Sequence, residues 1–275
     1  GILKRFLSEK PLIVDIDDWE LGFFYHSGFW GKLGRSLNFS NPNGLPYTWF
    51  MERLTGLADA VTVSNRFLEK KFSGKLLHHC RDTVMLNPEK FDAAKEKEKL
   101  NLGNKKVVMF LGTPRPHKGV DDLFSAFLNI QDPDIHLVIV GADDPSRPLG
   151  PHWEKVKDRV TVLPKIPFSS LPAHLSAADV VAVPQRATTD TMGQMPAKIF
   201  DAMAMAKPVI STRVSDIPEV LDGCGYLVNA GDTQQLADMI NHVFQHPEEA
   251  SQKAQQAREK CMRFYGMKVL EQGLL

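Results

Sequence analysis

Cysteine is scarce in this chain. Cys80, Cys224 and Cys261 are the three in 275 residues. Their spacing matches no metal set, and an odd count makes no disulfide framework, so a reduced compartment is the expectation. Charge of one sign is lacking too: 33 Lys and Arg balance 33 Asp and Glu, for a formal net charge of zero. Nothing in that balance favours a nucleic-acid partner. No apolar run approaches the ~18 residues that a membrane span needs, and no signal-peptide pattern is visible. A cytoplasmic protein is expected, with room for peripheral contact at the inner face of a membrane. Asn38-Phe-Ser40 matches a glycosylation sequon and is read as chance. What remains is an ordinary globular mix, 43% hydrophobic and 24% charged, long enough for one large or two small domains.

The C-terminal two-thirds alternates β-branched apolar runs with helical periods. Strands are expected over residues 107–112, 136–140, 160–163, 180–184, 209–212 and 226–228. The first has the continuous apolar character of a parallel strand covered on both faces. Val120, Leu123, Phe124, Phe127 and Leu128 fall on one helical face. A helix capped near Ser169 or Ser170 and one capped by Asp232 follow. This alternation means α/β, a doubly wound parallel sheet whose ligands sit beyond the carboxyl ends of the strands.

Two motifs lie at such ends. In Met195-Pro-Ala-Lys-Ile-Phe-Asp-Ala-Met-Ala-Met-Ala-Lys-Pro-Val-Ile210, Pro196 opens a helix whose apolar stripe is Phe200, Met203 and Ala204. Lys198 and Asp201 stand near its start. A cation beside the N–H groups of a helix N-terminus suits phosphate, and a carboxylate one turn on can accept from a ribose diol. In Gly112-Thr-Pro-Arg-Pro-His-Lys-Gly119, two glycines allow close backbone approach before a helix, and Arg115 and Lys118 supply charge. A solvated loop is the plain alternative for this motif taken alone.

Together these segments resemble the donor-binding motifs of retaining glycosyltransferases of family 4, which have the GT-B fold. The family pattern Gly-Arg-x-x-x-x-Lys-Gly is met in spacing by Gly112, Lys118 and Gly119, with Thr113 at the family's arginine position. Of two glutamates separated by seven residues, Asp201 takes the second place and Gly193 the first. The segment is closer to a subgroup reading Pro-x-Lys-hydrophobic-hydrophobic-Glu/Asp. Leu137-Val-Ile-Val-Gly141, Asp158-Arg-Val-Thr-Val-Leu163 and Asp216-Ile-Pro-Glu-Val-Leu221 continue the register, and their common order carries the likeness. The resemblance implies a nucleotide-sugar site with a base held at Lys165 and Ile166, a diphosphate held by Lys118, Lys198 and Arg115, and a ribose held by Asp201. No metal and no bound cofactor are called for.

The N-terminal third reads as strands at 12–16, 60–64 and 83–86 with helices at 46–58 and 65–72, half of a doubly wound domain. About a third of a typical enzyme of the family is expected to be missing here. Asp15-Ile-Asp-Asp-Trp-Glu20 follows the first strand, and the resemblance implies that Asp17 or Asp18 meets acceptor hydroxyls. A rival is the Asp-x-Asp start of haloacid dehalogenase phosphatases, with Asp15 as nucleophile and Asp143-Asp144 for magnesium. Solvated carboxylates are the third reading. Phe23, Phe24, Phe29 and Trp30 are read as core before surface.

The expectation is therefore a GT-B-like chain with a partial acceptor-side Rossmann-like domain at residues 1–91. A nucleotide-sugar-binding domain follows at 92–255, and a helix at 256–275 returns to the first domain. Its expected work is transfer of a sugar, with retention, to a glycan, lipid-linked or small-molecule acceptor. A non-catalytic nucleotide-sugar-binding fragment is the alternative from another class.

Overall fold

A computed structural model describes residues 5, 7–8, 10–25, 44–147 and 149–274. The sequon at Asn38, and Phe29 and Trp30, lie outside the described residues. The chain divides into two compact units. Unit 1 comprises residues 1–79 and 187–195, and unit 2 comprises residues 80–186 and 196–275.

Unit 1 holds a parallel sheet of order β1-β2-β3, with β1 Ile13–Ile16, β2 Ala60–Val63 and β3 Lys75–Leu76. Helices α1 (Glu20–Tyr25), α2 (Leu45–Leu54) and α3 (Arg66–Phe72) connect its strands. Asn65 caps α3 by accepting from Leu68 N, the cap chemistry that its short side chain favours. The third strand is not at 83–86 as the apolar pattern suggested. There Asp82 Oδ1 accepts from Val84 N and Met85 N, and Leu86 N returns to Asp82 O. An aspartate that serves the next backbone amides closes a turn instead of freeing them for a ladder.

Unit 2 is a six-stranded parallel sheet of order β6-β5-β4-β7-β8-β9. Its strands are β4 Lys106–Leu111, β5 Ile135–Ala142, β6 Val160–Pro164, β7 Val180–Val183, β8 Val209–Thr212 and β9 Tyr226–Val228. In order of appearance this is the 3-2-1-4-5-6 winding of a doubly wound fold, reversing direction between β4 and β7. Val108 and Phe110 of β4 join a core with Phe124 and Phe127 of α4 (Val120–Asn129). Each large apolar side chain withdrawn in this way contributes about 1.5–3 kcal/mol. The helix expected near Ser169 begins as a turn of 3-10 helix and continues as α5 (Leu171–Ser176). Ser170 makes no side-chain cap bond there, since Pro172 sits in its first turn and leaves one fewer amide to satisfy. α6 (Ala197–Ala204) starts one residue after Pro196, which occupies the cap itself. α7 (Thr233–Gln245), capped by Asp232, packs its Leu236, Ala237 and Ile240 into the same core as α4. α8 (Pro247–Phe264) buries a line of small residues, Ala250, Ala254, Ala257 and Cys261, and packs along α6.

Among the described residues no helix is long and apolar enough to cross a membrane.

Candidate functional site

The reversal between β4 and β7 opens a crevice at the carboxyl ends of unit 2's strands, where doubly wound sheets hold ligands. The loop 112–119 leaves β4 there, Pro184-Gln185-Arg186 leaves β7, and α6 begins beside both. The loops are pinned to each other. Arg186 clasps Asp122 with two hydrogen bonds of 2.9 and 2.7 Å, and Arg186 N donates to His117 O at 2.9 Å. The clasp also neutralises Asp122, an acidic residue in the first turn of α4 that would otherwise repel an anion at this end of the helix.

Two cations converge in this frame. A Cβ built on Gly112 would stand 3.0 Å from Lys198 Nζ and 3.8 Å from Lys118 Nζ, so the bare glycine leaves the room that both ammoniums occupy. Lys198 Nζ lies 4.6 Å from the centroid of the Phe110 ring, a cation–π contact. Withdrawal from water, and then the Lys118 charge, pull its pKa down from 10.5 to about 7, against a smaller opposing effect of Asp201. Like charges gathered where water is scarce favour an anionic ligand, and perturbed groups of this kind mark functional sites.

Asp201 is buried and ion-paired to Arg81 Nε. The same guanidinium donates through Nη2 to Ala197 O at 2.9 Å and through Nη1 to Cys80 O at 2.8 Å. The Asp201 carboxylate is therefore already engaged by an arginine. Thr113 lies part-buried in the loop after β4, and Arg115 is exposed at its tip. Lys165 follows β6 and forms an ion pair with Asp143 from the end of β5, with Ile166 part-buried next to it. Pro196 is buried at the cap of α6. Gly112 and Gly119 bound the loop after β4, both with positive φ.

Gly193, Asp17 and Asp18 belong to unit 1. Trp19 N donates to Gly193 O at 3.2 Å, so this glycine packs the acidic turn against segment 187–195. Asp17 O accepts from Ser64 Oγ, and its exposed carboxylate lies 4.0 Å from His79 Nδ1. Burial pushes the Asp18 carboxyl up, and a hydrogen bond from Gln194 partly offsets that. Asp15 accepts from Thr62 Oγ1. These carboxylates, with Glu20 and Glu52, line one part of a cleft of about 900 Å³ whose other walls include Phe50, Met51 and Phe72.

Sequence reasoning missed Arg81, Gln185 and the Asp122–Arg186 clasp. Arg81 follows a His-His-Cys run, and no period or motif singles it out. Gln185 is 4% exposed, with Nε2 lacking a hydrogen-bond partner among the described residues. Its place directly after the strand expected at 180–184 was the one signal available.

The depressed lysines carry a stability consequence. Lys207, part-buried and donating to Ser176 O and Ala178 O, is likewise lowered, to about 8, mainly by desolvation. Between about 7 and 9 the unfolded chain holds protons that these lysines have released in the folded state, so stability rises with pH. Above a thiol's ordinary 9.0 the half-buried Cys80 and the buried Cys224 and Cys261, all raised by desolvation, reverse the trend. Urea unfolding is expected to show a higher midpoint at pH 8.5 than at pH 6.5. Lys198→Met should reduce that difference, and an equal difference in the variant would contradict the assignment.

A doubly wound domain with two lysines converging at its switch point defines the class: an α/β domain whose crevice suits an anionic ligand. The chain belongs to the glycosyl transferases group 1 family, whose profile matches residues 105–246. It is 30% identical over 225 residues to a GDP-mannose-dependent alpha-(1-6)-phosphatidylinositol monomannoside mannosyltransferase of Mycolicibacterium smegmatis, covering 73% of this chain and 57% of that one. It is also 30% identical to a D-inositol 3-phosphate glycosyltransferase of Corynebacterium glutamicum, covering 63% of this chain and 44% of that one. The chain thus spans about half the length of the relatives it matches. Among solved structures, Anabaena Alr3699/HepE in complex with UDP and glucose superposes with a TM-score of 0.77 at 20% identity, covering 100% of this chain and 73% of that one. Sucrose-phosphate synthase from Thermosynechococcus elongatus gives 0.73 at 20% identity, with coverage of 95% and 66%. These likenesses show the fold, that of GT-B glycosyltransferases.

Proposed function

We propose that the chain works as a glycosyltransferase, moving a sugar from a nucleotide-diphosphate sugar to an acceptor hydroxyl with retention of configuration. The observation that supports this most is the convergence of Lys118 and Lys198 over Gly112. As the bond from the anomeric carbon to the diphosphate breaks and the bond to the acceptor oxygen forms, negative charge grows on the leaving diphosphate. Cations already in place at that point lower the barrier without reorganising. Arg115 and the amide of Thr113 serve the same group, Gly112 and Gly119 let the loop backbone approach it, the backbone at Lys165 and Ile166 holds the base, and Pro196 sets the start of α6. A carboxylate has acceptor capacity for two partners, so Asp201 takes the ribose while keeping Arg81. Asp17 and Asp18 receive the acceptor hydroxyls. One relative is GDP-mannose-dependent, and solved neighbours are in complex with UDP or UDP-glucose; we carry over the donor class from them, and neither the base nor the sugar.

Titration with UDP- and GDP-sugars, followed by a transfer assay with polyol and lipid-linked acceptors, tests this reading. Binding with transfer supports it. Binding without transfer supports a nucleotide-sugar-binding fragment, and failure of every donor to bind sinks both. The phosphatase reading required Asp15 as a nucleophile, and membership of the glycosyl transferases group 1 family speaks against it.

Lys118→Ala is expected to weaken binding of a nucleoside diphosphate by about 2–5 kcal/mol, the usual loss for one withdrawn charge contact, while leaving nucleoside binding nearly unchanged. Calorimetric titration with both ligands checks this. Equal losses would move Lys118 away from the phosphates.

A further inference from the structure

Lys198 and Asp201 stand three apart on α6, the spacing at which a lysine and a carboxylate meet on a helix surface. Left to themselves they would pair, and the ammonium would be neutralised from within. They do not pair, because Asp201 is engaged by Arg81 from outside the helix. Arg81 is itself fixed: its backbone N donates to Tyr265 O at 2.7 Å, and its guanidinium reaches both Ala197 O and Cys80 O. The guanidinium thus bridges the residues on either side of Lys198, at the first turn of α6.

We propose that Arg81 is a positioning residue of the diphosphate site, which draws Asp201 away from Lys198 and so leaves the ammonium for the donor. The proposal rests on the reading of Lys198 as a diphosphate ligand. The groups that face Lys198 are Lys118 from the loop after β4, the Phe110 ring from β4, and Asp201 on its own helix. Beyond Asp201 stand Arg81 and, on α8, Cys261 and Arg258. Asp201 is the carboxylate among them. Its charge decides whether Lys198 is spoken for, and Arg81 decides where that charge is spent.

The test is the titration of Lys198 in the ligand-free chain, followed by NMR of isotope-labelled lysine side chains and assigned with Lys198→Arg. In the wild type the midpoint falls at about 7. In Arg81→Gln the freed carboxylate turns to Lys198, and the midpoint rises by about one pH unit or more. Arg81→Lys, which keeps a cation beside Asp201, stays close to wild type. An unmoved midpoint in Arg81→Gln overturns the proposal. Should that variant fail to fold, Arg81→Gln/Asp201→Asn replaces the pair with neutral isosteres. It is expected to hold the wild-type midpoint, and a fall of about one unit or more would show that Asp201 acts on Lys198 despite Arg81, again overturning the proposal. A second readout separates the two readings. At pH 6.5 the affinity of Arg81→Gln for a UDP- or GDP-sugar should drop at least about tenfold, the equivalent of one pH unit. A raised midpoint with undiminished affinity would keep the shielding by Arg81 and remove the diphosphate from Lys198.

Discussion

Lys198→Met is expected to weaken binding of a UDP- or GDP-sugar at pH 6.5 by about 2–5 kcal/mol, roughly 30-fold to several thousand-fold. The ammonium of the part-buried Lys198 stands over the Phe110 ring and beside Lys118. In that setting an anion is its natural partner, and methionine keeps the length of the side chain without the charge. The same residue gives the wild type a pH dependence of known sign. With its pKa lowered to about 7, Lys198 is charged below that value and loses its proton as pH rises through it. The diphosphate of a nucleotide sugar carries no titrating proton there, so affinity should fall by about tenfold per pH unit above 7 until the pKa of the complex is reached. Titrations from pH 6 to 8.5 in both proteins test this. A flat wild-type profile, or a variant with the wild-type slope, would mean that Lys198 does not touch the phosphates.

Gly119→Ala is expected to destabilise unit 2 by about 2–5 kcal/mol, from left-handed backbone strain and from overpacking together. Gly119 has φ +71, and a Cβ there would come within 1.9 Å of Pro184 O and 2.9 Å of Pro184 C. Those are backbone atoms at the end of β7, so no side chain can rotate away. Relief would require the 112–119 loop and the loop after β7 to separate, which also breaks the Arg186 clasp on Asp122. Urea unfolding followed by far-ultraviolet circular dichroism measures the loss. A change under about 1 kcal/mol () would show that the loops are not held as closely as described. This glycine was readable as a loop boundary, but the reason for it lies in a strand more than sixty residues away in sequence.

Much of the domain fold could be read from the chain because it is written in local patterns. The continuous apolar character of residues 107–111 marks a strand buried on both faces wherever it occurs. The spacing of Leu236, Ile240 and Val243 marks a helix face, and Asp232 marks its start. Lys118 and Lys198 were legible because glycines and a proline beside them announce a loop and a helix start. At 83–86 the pattern misled. Thr83, Val84, Met85 and Leu86 have strand-forming composition, yet the carboxylate of Asp82 captures two of their amides first.

The sequence alone determined the alternation of strands and helices, the two motifs at strand ends, and the types of residue that gather there. Those depend on backbone propensity and on hydrophobic period, which act over a few residues. The tertiary structure decided which charges are free. Asp201 looked available on its helix, and Arg81, 120 positions away, engages it. Asp122 stands in the first turn of α4, and Arg186, 64 positions on, pairs with it. A charge's availability is set by whatever lies within a few ångströms of it. In a parallel sheet the neighbours at a strand end come from separate crossovers, so their identity is a property of the winding and is absent from any local stretch of sequence.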